Sequence, residues 1–329
     1  MSEVLRERIE KEEYLRLSPR AAKSAEAKRT RKEKECSIRT MFQRDRDRIL
    51  HSKPFRRLKH KTQVYIAPAG DHYRTRMTHS LEVAQICRTV GRGLRLNEDL
   101  IEAIALGHDV GHTPFGHVGE EVLASIIGRF EHNEQSVRIL TVLTEDGAGM
   151  NLTEQVLDGI LHHTGEGIPQ TLEGQVVKIG DRIAYLCHDY DDALRAGLLK
   201  AVDLPQGVQK GIGSSTSQMI TSMVIDLIST SEEKGKICLS AEIAEAMEEF
   251  RLFMFERVYL SNALKEERSK GRHILEILFD YYLHHPEVFP PEYLKWADGD
   301  LLRAVADYTA GLTDNYAIRT FKHFFIPRE

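Results

Sequence analysis

The chain has 329 residues, of which 41% are hydrophobic and 29% charged, and its net charge is −5. This composition is typical of a globular protein with a substantial core, and it excludes the strongly basic surface of a general nucleic-acid binder. Four widely spaced cysteines without a CxxC pair fit a reducing compartment. The charged N-terminus lacks an apolar signal segment, and no window approaches the roughly 18 apolar residues of a membrane span. We therefore expect a soluble cytoplasmic protein with no membrane partner.

Taken in chain order, the sequence predicts an almost wholly helical protein. Residues 1–35 form a charged N-terminal arm, dense in Lys, Arg and Glu, to which we assign no chemistry. From there on apolar residues recur at helical spacing and strand-like alternation is nearly absent. Thr78 and Asn97 are the expected N-caps of the first two long helices, and the Gly- and Ser-rich segment 207–217 is the expected loop or weak domain boundary. Helices are predicted at 78–95, 98–107, 116–127, 132–144, 153–163, 173–195, 216–230, 240–264, 271–285 and 299–311.

Four residues on three predicted helices suit a metal. His79 lies on the first, the neighbours His108 and Asp109 end the second, and Asp181 lies on a later one. Two imidazoles and two carboxylates favour a first-row divalent metal, or Mg with more water in its shell. Taken singly, each could be an ordinary helix-end or surface residue. The string GHDVGHTPFGH, however, crowds three histidines and an acid into one turn, which is costly unless those groups have partners.

The order H…HD…D resembles the HD superfamily of metal-dependent phosphohydrolases. Longer strings resemble its bacterial dGTPase-like branch of deoxynucleoside triphosphate triphosphohydrolases, from about Cys36 to the C-terminus. They are HDVGHTPFGHVGEEVL, FEHNEQS, FRRLKHKTQV, KIGDRIAYLCHDYDDA and DYTAGLTDNYA. The resemblance implies an all-α fold with an HD-domain helical core, at about 60–200, and additional C-terminal helices, at about 216–329, within one domain of residues 36–329. It also implies hydrolysis of a dNTP to a deoxynucleoside and inorganic triphosphate.

The predicted catalytic residues are His117, Glu120 and His132. His117 and Glu120 are three residues apart at the start of a predicted helix, so they share a face on which the carboxylate can orient the imidazole. An ordinary surface pair is the alternative. In the resembled family the matching pair lies beside the metal at the α-phosphate, which implies that His117 handles a proton of the attacking water or of the 5′-oxygen. His132 matches a second active-site histidine, with a buried structural histidine as the alternative.

The predicted substrate contacts centre on one helical face. Tyr185 and Asp189 follow Asp181 by four and eight residues, and at about 1.5 Å of rise per residue this row spans the phosphate-to-sugar reach of a nucleotide. The resemblance implies that Tyr185 packs under the deoxyribose, whereas Asp189 and Gln63 read the 3′-hydroxyl. A core tyrosine is the alternative for Tyr185. The other predicted phosphate or nucleoside contacts are Arg76, His112, Lys178, Arg182, Arg251 and Tyr259.

Cofactor and partners follow from the same resemblance. We expect Mg or Mn, with Fe, Co, Ni and Zn as alternatives, a homo-oligomer, and for some members of the family an allosteric nucleotide. The preferred dNTP stays open. Two other functions also stay open: another HD-type phosphohydrolase, such as a 5′-nucleotidase or phosphodiesterase, and a regulatory protein that binds nucleotides or single-stranded nucleic acid. The basic strings KRTRKEK and FRRLKHK motivate the last, and the complete set of metal-binding and acid–base residues argues against it.

Overall fold

The computed structural model describes residues 4–64 and 73–327. Within these residues the all-α prediction is confirmed, since sixteen α-helices form and no β-strand beyond isolated bridges does. None of the described helices is both long and apolar enough to cross a membrane. The first eight helices are α1 (Leu5–Arg16), α2 (Met41–Leu50), α3 (Lys53–Arg57), α4 (Arg76–Gly93), α5 (Glu98–Gly107), α6 (His117–Ile127), α7 (His132–Thr141) and α8 (Glu154–Leu161). The next eight are α9 (Leu172–Arg195), α10 (Gln206–Gly211), α11 (Thr216–Lys234), α12 (Ala241–Met254), α13 (Asn262–His284), α14 (Glu292–Trp296), α15 (Leu301–Gly311) and α16 (Asp314–Phe325).

The helix starts show which predicted caps form. Asn97 caps α5 as expected, because its side chain accepts a hydrogen bond from the amide of Leu100 at 3.3 Å. The prediction for Thr78 is wrong, since α4 already begins at Arg76. Thr75 and Thr78 exchange hydrogen bonds there: each hydroxyl accepts from the other's amide, at 3.5 Å and 3.0 Å. The cap therefore lies one turn earlier than the apolar pattern indicates.

Two other boundaries differ from the prediction. The segment 240–264 is not one helix, because α12 ends at Met254 and a π-helical turn, Phe255–Tyr259, follows it. The expected loop at 207–217 is partly helical, since α10 covers its first half. Ser215 then starts α11 by accepting from the amide of Gln218 at 3.3 Å. The Gly and Ser content thus marks the break between two helices.

The described chain divides into two compact units, each built from separate stretches of sequence. Unit 1 comprises residues 4–50, 79–108 and 152–261. In it α5 packs against α2, α8 and α9, and α11 and α12 pack against α9. Gly159 allows α8 to approach α5 closely, because a Cβ there would lie 2.4 Å from Ile104 Cδ1. The described part of the predicted arm belongs to this unit, where buried Glu13 accepts from Ser24 and Asn97.

Unit 2 comprises residues 51–64, 73–78, 109–151 and 262–327. Its core forms where α13 packs against α6, α15 and α16, and α14 packs against α15. The buried apolar residues there include Phe115, Val122, Leu123, Leu278, Phe279, Val305 and Ala317. Because the chain passes repeatedly between the two units, neither unit coincides with the predicted core at 60–200 or the predicted C-terminal part at 216–329.

Candidate active-site clusters

Three of the four predicted metal ligands meet in unit 1. His79 comes from α4, His108 follows the end of α5, and Asp181 lies in the first half of α9. Asp181 Oδ1 lies 3.0 Å from His79 Nε2 and 3.7 Å from His108 Nε2, and the three ligand atoms all lie within 4.8 Å of one another. His108 Nδ1 donates to the carbonyl of Ala105 at 2.6 Å, which assigns the proton to Nδ1. Its Nε2 lone pair is therefore available on the side of Asp181.

The charges of this cluster fit a divalent cation. His79 and His108 are almost fully buried, with 2% and 0% of their surface exposed. Burial disfavours the ionised form of Asp181, but the hydrogen bond from His79 and the proximity of His108 hold the pKa of the carboxyl well below its usual range. Metal binding needs an ionised carboxylate and imidazoles with free lone pairs. Asp181 and His108 meet these conditions, and a metal would replace the proton that His79 Nε2 shares with Asp181 Oδ1.

Two histidines that the sequence analysis missed surround this cluster. The His163 ring lies 4.9 Å from that of His108, and the His188 ring lies 6.0 Å from that of His79. His163 Nδ1 donates to the carbonyl of Ile160 at 2.7 Å, the same bond to the third preceding residue that His108 makes. Both His108 and His163 follow the end of a helix, so a histidine just past an apolar helix was the signal available in the sequence.

The predicted sugar contacts in unit 1 are partly brought together. Tyr259, in the π-helical turn, donates its hydroxyl hydrogen to Asp189 Oδ2 at 2.6 Å, and Asp189 is 3% exposed. Burial, together with the charge of Asp181, raises the pKa of Tyr185 to about 12, so its hydroxyl stays protonated. Arg251 is paired at 2.6 Å with Glu248 on its own helix, and Arg182 is exposed.

Lys178 has a different environment from the predicted phosphate site. Its Nζ lies within 2.7–3.3 Å of four main-chain carbonyl oxygens in the loop after α8, those of His162, Thr164, Gly165 and Gly167. An ammonium has three protons to donate, so these carbonyls can engage all of them. In this structure Lys178 holds the loop, and its contact with phosphate stays a prediction.

Unit 2 contains a second cluster, with Glu120 at its centre. The predicted pair forms, since His117 Nδ1 donates to Glu120 Oε2 at 3.0 Å. His132 Nδ1 lies closer to the carboxylate, at 2.7 Å, and His112 Nδ1 lies 3.3 Å from it. The rings of His112 and His132 stack with centroids 3.9 Å apart. The sequence spacing revealed only the pair within α6, whereas the carboxylate also serves two histidines from outside that helix.

This second cluster continues to the remaining predicted ligand, Asp109. One carboxylate oxygen of Asp109 lies 3.0 Å from His112 Nε2, and the other accepts from Arg76 at 3.0 Å. The Arg76 and Asp109 side chains are 3% and 4% exposed, so their charges are poorly screened by water. Arg76 thus neutralises a buried acid within unit 2, and its contact with the α-phosphate stays a prediction.

Electrostatics give the members of the second cluster different protonation states. Burial and the nearby charge of Arg76 hold the pKa of His112 well below its usual value. Burial opposes ionisation of Glu120, but His112 and His132 outweigh it and hold the pKa of the carboxyl well below normal. For His132 burial favours the neutral ring, yet the charge of Glu120 raises its pKa. The cluster therefore combines a carboxylate, a neutral imidazole and an imidazole that retains a proton.

Gln63 is the predicted sugar contact that belongs to unit 2. Its Oε1 is buried and has no hydrogen-bond partner among the described residues. A buried amide oxygen without a partner is unfavourable by about 1–3 kcal/mol.

Comparison with known proteins identifies the chain as a metal-dependent phosphohydrolase of the HD type. The sequence profile of the HD domain matches residues 76–186, and that of a phosphohydrolase-associated domain matches residues 237–323. A deoxyguanosinetriphosphate triphosphohydrolase-like protein of Caldanaerobacter subterraneus is 54% identical, over 98% of this chain and 96% of its own. Its counterpart in Clostridium tetani is 48% identical, over 98% of this chain and 97% of its own. The chain belongs to this family of dGTP triphosphohydrolase-like proteins.

Proposed function

We propose that the protein hydrolyses deoxynucleoside triphosphates to a deoxynucleoside and inorganic triphosphate. The observation that carries the proposal is the carboxylate of Asp181, which lies 3.0 Å and 3.7 Å from the Nε2 atoms of two buried histidines. His79, His108 and Asp181 would hold the metal, Mg or Mn in the first place, and Asp109, which is paired with Arg76 and His112 in this structure, is the proposed fourth ligand. A metal bound there supplies Lewis-acid stabilisation of the phosphate and a more acidic water.

The cluster around Glu120 supplies the acid–base groups of this proposal. Glu120 binds His117 through Nδ1, so Nε2, on the opposite side of the ring, is left to exchange a proton. The His117 side chain is 70% exposed, which makes it accessible to substrate and water. His132 retains a proton at higher pH than a free imidazole and can act as a donor. Both ring nitrogens of His112 face carboxylates, those of Asp109 and Glu120, and its contact with the substrate stays a prediction.

Recognition of the nucleotide is assigned to the remaining residues. We place Tyr185 against the deoxyribose, and we place Asp189 and Gln63 at the 3′-hydroxyl. The pairing of Asp189 with Tyr259 and the unsatisfied oxygen of Gln63 support these assignments. We assign the binding of the phosphates to basic side chains. Arg182 is exposed and directly follows Asp181 in the chain. Arg76, Lys178 and Arg251 stay predicted phosphate contacts. A homo-oligomer and an activating nucleotide are part of the same proposal.

Product analysis tests this function directly. Metal-loaded protein is incubated with each dNTP alone and with all four together, and the products are separated by ion exchange. We expect intact triphosphate and deoxynucleoside in equal amounts, and no release by Asp181→Asn. Release of pyrophosphate or orthophosphate in the first step would contradict the proposal, and activity on deoxynucleoside monophosphates alone would favour a 5′-nucleotidase.

A further inference from the structure

Two sequence strings, FRRLKHKTQV and DYTAGLTDNYA, meet in unit 2. Lys61, from the first string, is 2% exposed. Its Nζ donates to the carbonyl of Ala310, at the end of α15, at 2.8 Å, and also to the carbonyl of His112. Burial lowers the pKa of Lys61 to about 7, and a buried amino group is unfavourable in either state unless its protons have acceptors, so these two carbonyls fix its position.

Asp314, at the start of α16, makes the complementary contacts. Its carboxylate accepts from the amide of Thr62 at 2.9 Å, from the hydroxyl of Thr62, and from the amide of Phe115 at 3.0 Å. Asp314 is 7% exposed, which places these bonds in a region where hydrogen bonds to charge are strong. Lys61 and Asp314 therefore tie residues 61–62 and the end of α15 to a single turn, residues 112–117.

The turn that they hold is strained. Phe115 has a φ of +60°, and Gly116 has a φ of +60° with a ψ of −131°. A bulky residue with positive φ costs about 1–3 kcal/mol and persists only where its surroundings enforce it. His112 lies at one end of this turn and His117 at the other, and both contact Glu120. The backbone of the turn therefore sets the geometry of the acid–base cluster.

We propose that Lys61 and Asp314 are positioning residues, which act through the turn 112–117 to place His112 and His117 against Glu120. This pair is called the Lys61–Asp314 clamp. The inference rests on the proposed function, because it assigns the clamp to the same acid–base cluster. It also gives the phosphohydrolase-associated region a role in the reaction, since Asp314 lies within the matched residues 237–323.

The test combines amide exchange with steady-state kinetics on the full-length protein. Asp314→Ala removes the acceptor of the Phe115 amide, Thr62→Val removes one hydroxyl donor with little change of shape, and Asn315→Ala alters the exposed neighbouring residue as a matched control. We expect hydrogen exchange in residues 112–117 to be at least about tenfold faster in Asp314→Ala, because a lost hydrogen bond lowers the cost of local opening. We expect kcat for triphosphate release to fall by about 100-fold, because small displacements of catalytic groups lower turnover by about this factor. The change in KM should be smaller. Thr62→Val should show both effects more weakly.

Each outcome decides a different point. Unchanged exchange in the turn would overturn the clamp. Faster exchange with an unchanged kcat at temperatures where the variants are folded would overturn the positioning role. If Asp314→Ala does not fold, Thr62→Val against Asn315→Ala carries the comparison. Because the exchange measurement needs no substrate, it decides the clamp even when the wild-type protein releases no triphosphate, a result that would count against the proposed function.

Discussion

The buried ionisable residues owe their states to their neighbours. Asp181 and Glu120 are both in low-dielectric surroundings that disfavour charge, and both stay ionised because histidines lie beside them. The difference lies in the imidazoles. His108 has its proton committed to a carbonyl and offers a lone pair, which suits a metal, whereas His132 retains a proton, which suits an acid. The two clusters thus have the donor and acid functions that phosphate-ester hydrolysis needs.

Replacement of Asp181 by Asn tests the metal cluster at the residue scale. The amide keeps the shape of the side chain but loses the charge that attracts a cation. Loss of a residue that only hydrogen-bonds to a metal ligand lowers metal affinity by about 10–100-fold, so we expect loss of a ligand to lower it by at least this factor. The measurement is metal content by elemental analysis after dialysis against a fixed free-metal concentration. Asp191→Asn, a partly exposed acid on the same helix, is the control, and equal metal in both variants would refute the ligand assignment.

Glu120 and His132 predict a pH dependence of stability. A carboxyl with a lowered pKa stabilises the fold above its ordinary value of 4.5, and an imidazole with a raised pKa stabilises it below its ordinary value of 6.5. Both contributions are present between these values. The first is lost as the pH falls through the lowered pKa of Glu120, and the second is lost as the pH rises through the raised pKa of His132. We therefore expect Glu120→Gln to lower Tm most between about pH 4.5 and 6.5.

Thermal melts across the pH range measure this difference. Glu121→Gln, which alters the exposed neighbouring acid, is the control and should show no such window. A deficit in Tm for Glu120→Gln that grows steadily above pH 8 would mean that the His132 pairing is not its source.

Tyr185 predicts the choice of sugar. A ring under the ribose would exclude the 2′-hydroxyl only moderately, by about 100-fold, because apolar walls reject an added hydroxyl weakly. In Tyr185→Ala the ratio of kcat/KM for dGTP to that for GTP should shrink toward unity, whereas Tyr190→Phe, in the core on the same helix, should leave it unchanged. An unchanged ratio in Tyr185→Ala would return that residue to a structural role.

At the scale of single residues, the sequence predicted side-chain contacts between residues that are close along the chain or share a helix. The pair of His117 and Glu120 follows from i,i+3 spacing, and it forms. The carbonyl contacts of Lys178 could not be predicted, because they depend on how the loop after α8 folds back over α9. The contact of Glu120 with His132 was missed for the same reason, since no periodicity relates α6 to the start of α7.

At the scale of elements, close packing places α7 and hence His132. Gly111 approaches the first turn of α7 so closely that a Cβ would lie 2.2 Å from the His132 carbonyl oxygen and from the Ser136 amide. Gly111 also donates its amide hydrogen to the hydroxyl of Ser136 at 2.9 Å. The position therefore accepts no side chain without displacement of the helix.

Gly111→Ala should both destabilise the protein and impair turnover. The extra methyl group overpacks a backbone contact, at a cost of about 1–3 kcal/mol, and moves His132. Gly128→Ala is the matched control: Gly128 has a φ of +85° but nothing within 4 Å of its added Cβ, so backbone strain alone should lower its Tm. The comparison is made on kcat at a temperature where both variants are folded. Equal kcat in the two variants would show that α7 does not depend on this contact.

Helix positions were predictable where apolar periodicity was long, as in α5 and α9. The start of α4 was not, because Thr75 and Thr78 are both capping residues and the pattern of apolar residues does not choose between them. The π-helical turn after Met254 was missed as well, since its residues continue the helical spacing. That turn matters, because it contains Tyr259, the partner of Asp189.

At the scale of the whole molecule, the all-α class and the family were within reach of the sequence, whereas the division into units was not. Local periodicity and ordered motifs establish the class and the resemblance. The units are assembled from stretches far apart in the chain, as when α15 and α16 contact residues 61–62 through Lys61 and Asp314. Such long-range pairing is set by side chains that no local pattern identifies.

The most direct test of the account is metal-dependent release of triphosphate. Protein stripped of metal is titrated with Mn²⁺ or Mg²⁺ in the presence of dGTP, and triphosphate and bound metal are measured in the same samples. The account predicts that intact triphosphate appears in step with metal occupancy in the wild-type protein, and that Asp181→Asn shows neither. Release of triphosphate by the metal-free protein, or the appearance of orthophosphate or pyrophosphate in its place, would contradict it.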